Sequence, residues 1–172
     1  LVNAIALGVS RKDPSNLKEY CERLQRIRPK SRPVVEGFAT VALANQDWEA
    51  ASRHCSELAE IEPEMMEAWF NLGVAQQRLG RHDAAAKAFQ KAAEMRPDNK
   101  AVQLALASCL EQKGDWEPAR KAYEKAIQAS PDQPAPLWAL AAGLEQRKDL
   151  VEAEKVYMKL VRVAPDSAEA WF

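Results

Sequence analysis

The chain has 172 residues, of which 47% are apolar, and its 24 basic and 25 acidic side chains leave a net charge of −1. That balance is ordinary for a packed globular fold and excludes the collagenous, low-complexity and strongly charged disordered classes. No apolar run approaches the roughly 18 residues of a membrane-spanning helix, no signal peptide is recognisable, and six glycines with much alanine favour helix over sheet.

In chain order, Ala4 to Val9 predicts a first helix, Asp13-Pro14-Ser15 a turn, and Leu17, Cys21 and Leu24 the inner face of a second helix that stops at Pro29. Phe38, Ala39 and Ala42 then mark a third helix, and Ala51, Cys55 and Leu58 a fourth, with Trp48 ahead of it as a packing residue at the turn. Trp69, Leu72, Gly73, Gln76 and Leu79 share one face of a fifth helix, where Gly73 leaves room for a close neighbour. Leu79-Gly80-Arg81 breaks that pattern. Ala85, Phe89 and Ala92 form the inner face of an antiparallel partner, Pro97 ends it, and Asp98 is the expected N-cap of the next helix. Leu106, Ala107 and Leu110 followed by Ala119, Tyr123 and Ala126 repeat the scheme, with Pro118 in a first turn. Leu137, Leu140, Ala141 and Leu144 followed by Ala153, Tyr157 and Leu160 repeat it again, with Pro134 and Pro136 in a first turn. Ala168-Glu169-Ala170-Trp171-Phe172 nearly copies Glu67-Ala68-Trp69-Phe70 and starts a further unit.

Pro29, Pro63, Pro97, Pro131 and Pro165 stand 34 residues apart, a self-similarity that chance does not readily produce. Units therefore fall at about 1–31, 32–65, 66–99, 100–133 and 134–167, with another begun at 168–172. A hairpin of this size cannot bury both of its apolar faces alone, so the units must stack. Trp69, Leu72 and Gly73, then Ala85, Phe89 and Pro97, match the pattern of Trp, Leu-Gly, a central Ala, an aromatic and a closing Pro. On these residues the sequence resembles the tetratricopeptide-repeat family over essentially its whole length, with Gln76 as a departure where the family has an aromatic. The resemblance implies an all-α, right-handed α-solenoid of stacked antiparallel helix pairs, read here as a single domain over 1–172. The chain begins and ends inside the periodic pattern, so the expectation is a piece of a longer protein, with the compartment open and the cytoplasm favoured.

Cys21, Cys55 and Cys109 make no disulfide framework. Cys21 and Cys55 share the column that Phe89, Tyr123 and Tyr157 fill later, and equivalent positions in stacked helices lie about 9 Å apart, beyond the roughly 7 Å a disulfide spans between alpha carbons. They read as small buried apolar residues. Residues 1–33 hold eight basic and three acidic side chains, a net of +5, while 34–65 hold one and seven, a net of −6. Adjacent blocks of opposite sign point to mutual compensation rather than to nucleic-acid binding.

Catalytic chemistry is not expected. His54 and His82 are the only histidines and fall at unrelated places in their units, no glycine-rich phosphate loop exists, and pairs such as Glu152 and Glu154 read as solvated helix faces. No cofactor or metal is implied. The functional expectation is an interaction scaffold. One residue past the core column come Glu36, Phe70, Leu104, Trp138 and Phe172, and one turn further come Thr40, Val74, Ser108 and Ala142. In the tetratricopeptide family this face lines a concave groove, so the resemblance implies a groove floored by Phe70, Leu104 and Trp138. Asn71 and Arg78 belong to the same face, and Glu111 and Glu145, with Gln77, Gln112 and Gln146, would form its polar edge. The expected occupant is a peptide or helix of another protein, neither nucleic acid nor membrane, with self-association through the Trp171–Phe172 edge as a further expectation. The same residues allow a second reading, in which they pack only within their own array. A non-catalytic segment of a larger enzyme and an RNA-binding helical repeat are the alternatives for function. Family members that clamp a C-terminal carboxylate use lysine, arginine and asparagine here, and sugar-transferring members use an asparagine ladder. This face is mostly apolar or acidic beyond Asn71 and Arg78, and the positions equivalent to Asn71 are Gly37, Ala105 and Ala139.

Overall fold

The computed structural model describes residues 1–11 and 16–165, and among them it contains ten helices and no strand. The fold is an all-α helical-repeat solenoid. Contacts divide the chain into two compact units, Leu1–Met95 and the part from Arg96 onward. The first holds α1 (Val2–Arg11), α2 (Leu17–Gln25), α3 (Arg32–Ala44), α4 (Trp48–Ile61), α5 (Met66–Arg78) and α6 (His82–Met95). The second holds α7 (Lys100–Lys113), α8 (Trp116–Ala129), α9 (Pro134–Gln146) and α10 (Leu150–Val163). The expected turn at Asp13-Pro14-Ser15 and the unit begun at 168–172 lie outside the described residues.

In the first unit the core is layered. Val35 of α3 meets Leu58 and Ala59 of α4 and Ala68 of α5; Ala39 meets Cys55 and Leu72; Ala42 meets Ala51 and Ala75. Ascending numbers on α3 and α5 match descending numbers on α4, so α4 runs antiparallel to both and α3 and α5 run parallel. The spacing of three and four residues between layers is the helical repeat, and it is why one apolar stripe per helix suffices. A further cluster joins Ile5, Leu17, Cys21 and Leu24 to Val34 and Val41. Gly37 permits this contact: a Cβ there would come within 2.3 Å of the Cys21 sulfur. Gly73 does the same for Phe89, whose ring would lie 2.6 Å from an added Cβ. In the second unit Leu106, Ala107, Tyr123, Leu137, Leu144 and Leu160 are among the buried residues.

All three cysteines are free and buried, as expected of small apolar residues. Burial pushes the Cys55 thiol up to about 12, and burial with the nearby Glu22 charge pushes Cys21 up to about 11, so both stay protonated and unreactive. Gln76, the departure from the family pattern, donates to Ser52 Oγ at 2.8 Å across α4 and α5.

The four hairpins α3–α4, α5–α6, α7–α8 and α9–α10 turn on one repeated device. Gln46, Gly80, Gly114 and Lys148, 34 residues apart, all have positive φ, at 58°, 72°, 93° and 61°. Their amides donate to Leu43, Gln77, Glu111 and Glu145, and the next amides, of Asp47, Arg81, Asp115 and Asp149, reach back to Ala42, Gln76, Leu110 and Leu144 at 2.9–3.0 Å. This pair of bonds is the Schellman motif, which satisfies the last carbonyls of the first helix and reverses the chain. Asp47 and Asp149 then cap the second helices, accepting from Ala50 and Glu152 amides. Trp48 is therefore the first residue of α4 rather than a residue ahead of it. The cap of α7 is Asn99, which accepts from Val102 N at 3.1 Å, and not Asp98 as expected. A cap is chosen by backbone geometry at the helix start, and Asp98 lies one residue too early.

Gly80 has open space where a Cβ would go, so Gly80→Ala tests backbone strain alone. It is expected to cost about 1 kcal/mol in denaturant unfolding, whereas Lys148→Gly should gain up to about 1 kcal/mol. Equal midpoints for Gly80→Ala and the parent would show that the left-handed turn carries no strain.

Candidate functional site

The first helices α3 and α5 present parallel rows beside the core. On α3 the row is Glu36, Thr40 and Leu43; on α5 it is Glu67, Asn71 and Val74. Spacings of four and three keep each row on one face. Together with Val9 of α1, Met65 and Trp48 they line a cavity of about 620 Å³, a volume in the range that holds a small ligand or a few peptide residues. Thr40 Oγ1 is engaged, donating to the Glu36 carbonyl at 2.9 Å. Trp48 is roofed by the Arg78 guanidinium, 5.4 Å from the ring centroid, a cation–π contact. A second cavity, of about 560 Å³, is walled by Lys30, Arg53, Glu57 and Glu60; its charges oppose one another, which makes it a poorer receptacle.

The residues expected to line a groove are thus distributed unevenly. Asn71 and Val74 are brought together in the cavity, half-buried. Gln77, half-buried, and Arg78, exposed, occupy the last turn of α5. Phe70 does not line the cavity: its ring packs 5.7 Å from that of Phe89, a fully buried residue of α6. Trp138 likewise meets Tyr157 of α10 edge-on at 5.7 Å. Both were expected to face away from the core. They are half-buried instead, because the second helix of each hairpin offers an aromatic at the equivalent place. Leu104 and Ser108 are half-buried on α7, and Ala142 is exposed on α9. Phe172, with the expected Trp171–Phe172 edge, lies outside the described residues.

Glu111 is not an open carboxylate. It accepts from Tyr123 OH at 2.8 Å and from Arg147 Nη1 at 3.2 Å, and Arg147 lies 4.0 Å over the Trp116 ring. Gly143 admits this cluster, since a Cβ there would meet the Trp116 ring at 2.5 Å. Burial first, and then the hydrogen bond to Glu111, hold the Tyr123 hydroxyl well above its ordinary value, so it remains the donor. Glu145, exposed, accepts from Tyr157 OH at 2.9 Å. His54 stacks on Phe38 at 5.4 Å, and burial lowers its pKa, so the ring is held neutral. Among the described residues no group of His, Cys, Asp or Glu side chains is placed to hold a metal ion.

A family model described as tetratricopeptide repeat matches residues 37–99 and 75–134, together more than half of the chain. The chain belongs to the tetratricopeptide-repeat family. A search of curated protein sequences found no match. Among solved structures, the crystal structure of MamA is 17% identical at a TM-score of 0.84, covering 94% of this chain and 95% of that one. MamA from Desulfovibrio magneticus RS-1 is 13% identical at 0.84, covering 96% and 94%. YrrB, a tetratricopeptide protein described as having an unusual peptide-binding site, is 14% identical at a TM-score of 0.88, covering 99% and 88%. At these identities the structures show the shared fold. The tetratricopeptide fold is in general a non-catalytic module for protein interaction, and this chain is accordingly an interaction scaffold. No described helix is long and apolar enough to cross a membrane.

Sequence reasoning missed Glu67, Leu43, Met65 and Trp48 as cavity residues. The signal was present for two of them: Glu67 lies four residues before Asn71, and Leu43 three after Thr40, on rows already recognised. Because Phe70 packs on Phe89, Phe70→Ala is expected to lower stability by about 2 kcal/mol, and Trp138→Ala by a similar amount. Thermal unfolding followed by circular dichroism checks this, and an unchanged midpoint would return both rings to the solvent-facing role.

Proposed function

We propose that the protein binds a segment of another protein, and that the segment lies in the cavity between the α3 and α5 rows of the first unit. The observation that carries this reading is the cavity itself: an apolar floor with a few polar groups at its rim, one of which, the Asn71 side chain, makes no hydrogen bond among the described residues. A half-buried amide with unused donors and acceptors, next to aliphatic side chains, suits a peptide backbone. The peptide-binding site described for YrrB adds support by likeness of fold. The alternative reading of Phe70 and Trp138, as packing residues of their own hairpins, is the one the ring contacts favour.

The test is selection of short peptides from a random library on the intact chain, followed by titration against variants. Val74→Arg and Thr40→Trp, which fill the cavity without touching the core layers, should weaken the selected peptides at least about tenfold. Lys121→Glu, exposed on α8, should leave them unchanged. Peptides that bind all variants equally would move the binding site elsewhere.

A further inference from the structure

The two rows are graded in the same direction. Because α3 and α5 are parallel, Glu36 and Glu67, both near helix N-termini, lie toward one end of the cavity, Thr40 and Asn71 come next, and Leu43 and Val74 lie at the other. At the acidic end Arg32 lies 3.6 Å from Glu36 but also 3.4 Å from Glu62 and so is shared. Glu67 is exposed, and among the described residues its side chain has no ion pair or hydrogen bond. No lysine or arginine lines the cavity. At the apolar end the charge is reversed, since Arg78 lies over Trp48. The cavity therefore offers a negative end and an apolar end whose border is positive.

We infer, on the reading that this cavity is the peptide site, that its ligand is an extended segment carrying a cationic side chain and a large aliphatic one, with the cation seated at Glu36 and Glu67 and the aliphatic group between Leu43 and Val74. Charge complementarity selects the cation, and Arg78 at the far end selects against the reverse placement. Spacing follows from geometry. Seven helical residues separate each acid from its aliphatic partner, roughly 10 Å along the axis, which an extended chain covers in about three residues. Lysine or arginine and leucine or a similar residue should accordingly stand three apart. An acidic segment is excluded by the same argument.

The experiment uses synthetic labelled peptides with lysine and leucine three residues apart in an alanine background, in both orders, titrated by fluorescence anisotropy against the whole chain. One order should bind. Exchanging its lysine for glutamine should weaken it about tenfold, and so should Glu36→Gln with Glu67→Gln in the protein. The two changes made together should cost little more than either alone, because each removes the same interaction. Moving lysine next to leucine should also weaken binding, and raised salt should weaken only the lysine peptide. If library-selected peptides depend on Val74 yet carry no cation, or are indifferent to the Glu36 and Glu67 changes, the ligand chemistry is overturned while the cavity remains the binding site. If no peptide, the lysine–leucine probes included, depends on Val74, the cavity is not the site and both readings fall. Unchanged circular dichroism of the glutamine variants keeps loss of binding distinct from loss of fold.

Discussion

Helices in this protein meet at alanine and glycine, and that choice of small residues decides where every larger side chain must go. Ala51, Ala68, Ala75, Ala85 and Ala92 in the first unit, and Ala107, Ala119, Ala126 and Ala141 in the second, are fully buried. A methyl group contributes only about 0.8 kcal/mol by leaving water, so much of the holding force is the dispersion gained when backbones approach closely. Larger residues enter these seams where a glycine faces them, as Phe89 does against Gly73. Trp69, Phe70, Trp116 and Trp138 lie half-buried, and the rows left over on α3 and α5 become the walls of the cavity.

The periodic features were the most legible. A spacing of 34 between prolines, and alanine, leucine and aromatic columns at three and four, dictate helix count, hairpin pairing and the core stripe, because each depends only on local periodicity. What escaped depends on geometry that residue type alone does not encode. Gln46 and Lys148 hold the same left-handed turn as Gly80 and Gly114 without being glycine, since the two hydrogen bonds of the turn define the backbone there. Phe70 and Glu111 read as outward-facing on a helical wheel, but a wheel does not contain the neighbouring helix. Phe89 claims the first, and Tyr123 with Arg147 the second. Asn71 and Val74, read as groove residues from their place on the helix, line the cavity.

Electrostatics repeats this distinction between occupied and unoccupied groups. The opposite charge blocks at the start of the chain meet through Arg32, which pairs with Glu36 and Glu62, and Arg81 of the third repeat reaches Glu49 at 2.7 Å. Exposed pairs of this kind contribute little to stability, roughly 0–1 kcal/mol each. Their larger effect is on availability: a carboxylate already held by arginine and tyrosine, as Glu111 is, has less to give a partner than Glu67, which has neither among the described residues. Trp69 and Gln103 show the same economy with neutral groups. Both occupy the same repeat position, and both donate to the carbonyl of the preceding repeat-spaced proline, Pro63 at 2.8 Å and Pro97 at 2.9 Å. The buried Gln103, 1% exposed, is thereby satisfied where the family prefers an aromatic N–H.

Gly37 facing Cys21, and Gly73 facing Phe89, make the repeats less interchangeable than their common length implies. An array that grows by duplication would seem free to shuffle its modules, yet the cysteine column of the early repeats becomes an aromatic column later. A copy carrying phenylalanine or tyrosine at the Cys21 position would drive a ring into an α2–α3 seam already closed to a single Cβ. Exchange of whole repeats thus requires that bulk on one helix and its absence on the next travel together, and inheritance of these positions is coupled in pairs rather than one residue at a time.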